Sequence, residues 1–148
     1  MTVTEREYHT LKDNSDKEQG FSSVVGAMLN EQHSPVDEVK QYVASMLLRF
    51  AVLDKSVDME RFLLNHGADP RIKDKITDES ALTCALESGD FNSIKIFSNF
   101  HYTLMPISGD YTTIGSIYSA ITSNHDGYDT QDLLGALSHL YLGIAEVF

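Results

Sequence analysis

The sequence predicts an all-α fold, a row of antiparallel helix pairs with projecting turns or hairpins behind an N-terminal helical cap. Three observations carry that expectation. Phe62-Leu63-Leu64-Asn65-His66-Gly67-Ala68-Asp69-Pro70 reads as the end of an amphipathic helix, a glycine stop and an extended turn. A helix–turn–helix plan then recurs: Ala51, Ala85 and Ala120 are spaced 34 and 35 apart, and so are the turn positions Lys55, Gly89 and Asn124. Ser34-Pro35-Val36-Asp37-Glu38 is a strong helix start, with a capping hydroxyl, a proline for the first turn and acids for the positive end of the dipole.

Taken in order, residues 1–20 are polar and read as loop or frayed terminus. Phe21, Val24, Val25, Met28 and Leu29 share one helical face, with Ser22 or Ser23 near the N-cap, so Phe21–Leu29 is expected as a short capping helix. From Pro35 onward Val39, Tyr42, Val43, Met46, Leu47, Phe50 and Ala51 recur at three- and four-residue spacing. This should be the longest helix, fading at Leu53-Asp54-Lys55-Ser56 before a second helix over Val57–Asn65. So short a turn forces the two to pack antiparallel. The plan repeats with Ser80–Ser88, a turn at Gly89-Asp90 and Phe91–Phe100. A third, weaker copy runs Ser116–Ser123, a turn at Asn124-His125-Asp126-Gly127, then Asp129–Leu142, where Asp129 is expected as an acidic N-cap.

The best-matched residues resemble the ankyrin-repeat family. Val57 to Asp69 is similar to the second half of such a repeat, with its leucine run and glycine-alanine-aspartate ending. Ser80-Ala81-Leu82-Thr83-Cys84-Ala85-Leu86-Glu87-Ser88-Gly89-Asp90 is similar to the first half of the next. The likeness covers about residues 46–101. It departs from the pattern at Ser80-Ala81, at Thr83, at one extra residue within Asp74–Glu79, at His101 in place of the glycine stop, and at an insertion around Gly127–Gln131. The resemblance implies one domain with a polar segment and cap over 1–33, repeats over 34–69 and 70–103, and a degenerate repeat with C-terminal cap over 104–148. Divergent end repeats are expected where one side faces water.

Chemistry is sparse. At 148 residues and 42% apolar, the chain is long enough for one core and has no run long enough to span a membrane. No basic segment followed by an apolar run opens it, so no secretory signal is expected. Cys84 is the single cysteine, which excludes an internal disulfide and points to a cytoplasmic location. It lies on the core strip of its helix, between Leu82 and Ala85, as a small buried residue rather than a nucleophile. The six histidines show no metal-ligand spacing, and Asp126-Gly127-Tyr128-Asp129 lacks the ligands of a calcium loop. No phosphate loop or nucleophile elbow occurs. No catalytic residue, metal or cofactor is therefore expected.

Net charge is −11, and from Ile96 to Phe148 there are five acids and no lysine or arginine. Such a surface repels nucleic acid and anionic lipid and steers a basic protein; the plainer account is solubility. The segment Arg71-Ile72-Lys73-Asp74-Lys75-Ile76 alternates charged and apolar residues as a protruding finger. Ankyrin-type recognition by finger tips and first helices implies contacts at Arg71, Lys73, Lys75, Ile76, Asp78, Glu87, Ser88 and Asp90. In the neighbouring copies the matching positions are Leu53, Asp54, Tyr111, Thr122 and Ser123. The expected function is a non-catalytic protein-binding module, in its specific version an inhibitor or immunity-type protein that blocks a basic toxin or effector. The alternatives are a scaffold or adaptor, a homo-oligomer through the apolar segment Leu140–Phe148, and an enzyme with a site among Cys84, His101 and His125.

Overall fold

The computed structural model describes residues 3–29, 35–100, 102–123 and 127–148, and within them the chain forms nine helices and one two-stranded ladder. Residues 1–81 and 82–148 are two compact units.

The first unit holds α1 (Val3–Asp13), α2 (Lys17–Leu29), α3 (Val36–Asp54) and α4 (Val57–Asn65). Within residues 1–20, expected as loop or frayed terminus, Val3–Asp13 instead form α1, and α2 begins at Lys17. Tyr8 and Leu11, three apart on α1, are fully buried. Two apolar residues are too few to register as a periodic face, and the helix is held by packing on α3 rather than by propensity. The start of α2 is capped by Asp16, whose Oδ1 accepts the Gln19 amide at 3.1 Å; Ser22 and Ser23 lie exposed inside the helix.

The longest of the described helices is α3, with 19 residues and Asp37 and Glu38 in its first turn. The expected capping residue Ser34 lies outside the described residues. Its apolar face reads as predicted, but Ala44, Ser45, Leu48, Arg49 and Val52 are buried as well. The second covered face follows from α1: α1, α2 and α4 all pack against α3. α3 closes with the Ser56 amide donating to the Ala51 carbonyl at 3.1 Å and Lys55 to Val52 at 3.1 Å, while Lys55 takes φ +56°. Ser56 then caps α4 by accepting the Met59 amide at 3.4 Å. α4 has the predicted bounds, and Gly67 has φ +94°, a left-handed stop that side chains disfavour. His66, just before it, bridges the elements: Nδ1 lies 2.7 Å from the Phe62 carbonyl, an acceptor, and Nε2 lies 2.8 Å from the Glu18 carboxylate on α2.

The second unit holds α5 (Ala81–Ser88), α6 (Phe91–Ser98), α7 (Tyr111–Thr122), α8 (Thr130–Leu137) and α9 (Ile144–Val147). α5 closes as α3 does: the Asp90 amide donates to the Ala85 carbonyl at 2.9 Å, Gly89 donates to Leu86 at 3.3 Å, and Gly89 has φ +70°. Cys84 and Ala85 are buried, as is Ala120. His101 and the turn residues Asn124, His125 and Asp126 lie outside the described residues.

The third helix pair departs from expectation at both ends. α7 starts at Tyr111 rather than Ser116, because Asp110 caps it: its carboxylate accepts the Thr113 amide at 3.0 Å and the Thr113 hydroxyl at 2.7 Å. Asp129 caps α8 as expected, accepting the Gln131 amide at 2.8 Å. The helix then stops at Leu137 instead of reaching Leu142. Tyr141–Leu142 forms β2, which pairs in parallel with β1 (Met105–Pro106), so the chain is mostly but not wholly helical. Two residues are too short for strand alternation to show in a sequence. Leu140, Tyr141 and Ile144 are buried, leaving Leu142 and Val147 exposed. The apolar tail is thus covered in part by the unit's own core, with Ala145 exposed as well.

Candidate functional site

The finger after Pro70 exists, but it is built from charges expected to be free. Ser45 on α3 accepts the Asp69 amide at 2.9 Å and anchors the finger's root. Asp69 in turn holds Arg71: its carboxylate accepts the Arg71 amide at 2.9 Å, Nε at 3.0 Å and Nη2 at 2.9 Å. Arg71 is buried, so the expected contact residue is a strut within the unit. Alternating charge made it look solvated; a partner two residues back neutralises it.

Further out, one antiparallel bridge joins Lys73 to Ser80, and the Asp74 amide donates to the Glu79 carbonyl at 2.8 Å. Asp74 shapes the tip by accepting the amides of Ile76 at 2.7 Å and Thr77 at 3.1 Å. Arg49, buried on α3, reaches Asp74 at 3.1 Å, Glu79 at 3.2 Å and the Thr77 hydroxyl at 3.4 Å. Burial alone would raise the Asp74 carboxyl, but the two amides and the Arg49 guanidinium prevail and hold it below the usual carboxylate range. At the tip, Asp78 takes φ +60° and sits 3.9 Å from Lys73. The Lys75 ammonium lies 5.3 Å from the Tyr42 ring, and Ile76 is 94% exposed.

Leu53 is exposed at the end of α3, whereas Asp54 beside it is engaged. It accepts the Lys12 ammonium at 2.6 Å and the Tyr8 hydroxyl at 2.9 Å. The Lys12 contact holds its carboxyl below the ordinary range, and burial followed by the bond to Asp54 raises the Tyr8 phenol. Asp54, expected on a contact surface, is the anchor of α1. The sequence could not show this while α1 read as loop.

In the second unit, Glu87 and Ser88 from α5 and Ser123 beyond α7 converge on a groove of about 410 Å³, with Leu86, Ser119 and Tyr128. The Tyr128 hydroxyl donates to the Ala120 carbonyl at 2.9 Å and its ring stacks on Phe91 at 5.1 Å, fixing one wall. Thr122, exposed one residue from Ser123, donates back to the Tyr118 carbonyl at 3.0 Å. Asp90 does not join the groove: it caps α6, accepting the Ser93 amide at 3.1 Å.

α7 presents a face that sequence reasoning found only in part. Thr113, Ser116, Ile117 and Ala120 are buried, while Tyr111 (80%) and Tyr118 (63%) are exposed. Tyr111, Gly115, Tyr118 and Thr122 are spaced as one helical stripe, and a Cβ added at Gly115 would meet open space. Tyr118 was missed because a helix begun at Ser116 hides the seven-residue interval back to Tyr111. The Asp110-to-Thr113 capping spacing was the signal that could have found it.

Among the described residues no three histidine, cysteine, aspartate or glutamate side chains gather as a metal site, and no helix is long and apolar enough to cross a membrane. Of the residues named for an enzymatic alternative, Cys84 is buried in α5, and His101 and His125 lie outside the described residues. No protein family, no curated protein and no solved structure matches this chain.

Proposed function

We propose that this protein is a non-catalytic binding module of ankyrin-like build that acts by occupying the surface of a basic protein partner. The observation that carries the reading is the open face of α7: two exposed tyrosines a helical stripe apart, in a segment that has no lysine or arginine after Lys95. Large aromatics supply contact area at little entropic cost and are enriched at binding hot spots. Their rings also accept cations, as the acidic surroundings do. Tyr111, Tyr118 and Thr122 form the proposed contact on α7, and Glu87, Ser88 and Ser123 line the groove of the same unit.

The ankyrin-like build is supported by local repetition. At an offset of 34 residues, Ala51 and Ala85 are both buried, Lys55 and Gly89 are both left-handed, and the same pair of closing hydrogen bonds recurs. Ser56 and Asp90 then each cap the following helix. Such pairs bury their apolar faces by stacking on neighbours.

Within this reading the favoured role is an inhibitor or immunity-type blocker of a basic toxin or effector, acting in the cytoplasm; a scaffold role uses the same surface. The test is affinity capture from the native host with wild-type protein and with Tyr111→Ser/Tyr118→Ser. A single basic protein retained by the wild type, released as salt rises and absent from the variant, is the expected result. Equal capture by both, or retention indifferent to salt, would sink the proposal.

A further inference from the structure

The groove of about 410 Å³ in the second unit is lined by groups that accept hydrogen bonds rather than donate them. Leu86 and Ala120 are buried at its floor, with Glu87 and Ser88 from α5 and Ser123 and Ser119, four residues apart, from the end of α7. The Ser88 hydroxyl has one proton and spends it on the backbone, with the Cys84 carbonyl at 2.8 Å and the Ala85 carbonyl at 3.3 Å. Only lone pairs are left for it to offer. The exposed Glu87 carboxylate beside it accepts only, and the Ser119 and Ser123 hydroxyls can turn to accept. The Tyr128 phenol gives its proton to the Ala120 carbonyl at 2.9 Å, and its ring is held in place by stacking on Phe91. Lys95, the one lysine or arginine of residues 82–148, lies 5.7 Å from the Phe91 ring and is not among the residues that line the groove.

An occupant must therefore bring both donors and positive charge. A neutral amide brings donors but leaves the Glu87 carboxylate without a counter-charge. A lysine ammonium brings charge as a compact, strongly hydrated point. A guanidinium brings five N–H groups in a planar fork, which meets a carboxylate through two parallel bonds and packs well beside an aromatic ring. We propose that the groove seats an arginine side chain of the basic partner, paired with the Glu87 carboxylate, donating to the Ser88 hydroxyl oxygen and lying beside the Tyr128 ring. This rests on the reading of the second unit as the face for a basic protein, and it names the residue by which that partner is anchored.

Titration of the full chain with the blocked peptide acetyl-Gly-Arg-Gly-amide, followed by amide NMR shifts, tests it without the partner. Shifts confined to residues 86–89, 119–123 and Tyr128, saturating at about 10 mM, are expected for a single side chain. The peptide with citrulline in place of arginine, alike in shape but uncharged, should bind about 10-fold more weakly, and the lysine peptide about 3-fold more weakly. Glu87→Gln, at an exposed position, should weaken the arginine peptide about 10-fold. Asp132→Asn, an equal loss of charge on α8, should leave its affinity within about a factor of two. The proposal is overturned by the absence of a saturable shift, by citrulline or lysine binding as tightly as arginine, or by Glu87→Gln and Asp132→Asn behaving alike. Salt-sensitive capture of a basic protein that persists after such a failure leaves the α7 reading standing. Arginine binding with no basic protein captured keeps the groove and removes that reading.

Discussion

In residues 1–81 fifteen acidic side chains stand against ten lysines and arginines; in residues 82–148 seven stand against Lys95 alone. The net excess is similar, −5 and −6, yet the two regions use it differently. The first spends its charge on pairing: Lys12 with Asp54, Arg49 with Asp74 and Glu79, Arg71 with Asp69, and His66 against Glu18. The second has one lysine, Lys95, whose ammonium lies 5.7 Å from the Phe91 ring, and Asp90, Asp110 and Asp129 serve as helix caps. Asp54, Asp69, Asp74 and Glu79 of the first region lie against a lysine or arginine, whereas Glu87, Asp132 and Glu146 of the second stay exposed. A field that no nearby cation cancels is available to a partner.

The contrast can be broken by substitution, and the largest effect should come from Arg49→Ala. It strips Asp74, Thr77 and Glu79 of a shared donor and should cost about 2–3 kcal/mol in urea unfolding, at the modest end for a broken pair because the carboxylates are partly exposed. A loss under about 0.5 kcal/mol would mean that the finger holds itself through its backbone.

Next come the caps. Asp90→Ala and Asp110→Ala should each cost about 1 kcal/mol although each lowers the net negative charge. Glu87→Gln, a similar loss of charge at an exposed position, should change stability by less than about 0.5 kcal/mol. If all three respond alike, the acids of the second region act through overall charge and the distinction fails. A subtler pair sits in the two matching turns. Gly89→Ala should cost about 1 kcal/mol, since a side chain is strained at φ +70°. Lys55→Gly relieves the same strain but loosens the unfolded chain, so its net effect should stay within about 0.5 kcal/mol.

Acid should act first on the pairing region. The carboxyls of Asp54 and Asp74 lie below their ordinary values when folded. Their contribution to stability is therefore complete above the unfolded carboxyl value, near pH 4, and is lost as pH falls through the lower folded values. Urea midpoints measured from pH 6 downward should fall across that window. Asp54→Asn should flatten part of the fall, and an unchanged slope in that variant would remove Asp54 from the account.

Sequence and structure agree where one helix carries its own punctuation. Ser56 and Gly67 bound α4, and Asp37 and Glu38 fall in the first turn of α3, which opens after Pro35. They part where a distant group decides. α1 is helical because α3 receives Tyr8 and Leu11, and nothing local announces that. Arg71 looked like a contact because a charge alternating with isoleucine suggests solvent, while the decisive partner, Asp69, is recognisable only from the turn it makes. The β1–β2 ladder joins residues 36 apart through two residues each, too little pattern to read. In the proposed contact, Tyr111, Glu87, Ser88, Thr122 and Ser123 are positions that the ankyrin resemblance implies. Tyr118 is not among them, because a helix expected from Ser116 leaves Tyr111 outside it and hides the interval between the two rings.

The central claim is that the second unit engages a basic partner through α7. With the captured protein in hand, isothermal titration of wild type against Tyr111→Ser and Tyr118→Ser is the most direct measurement. Each substitution should cost about 2 kcal/mol of affinity or more, roughly 30-fold, as expected at an aromatic hot spot, while thermal unfolding is unaltered because both rings are exposed. Affinities within a factor of two of the wild type for both variants would contradict the account.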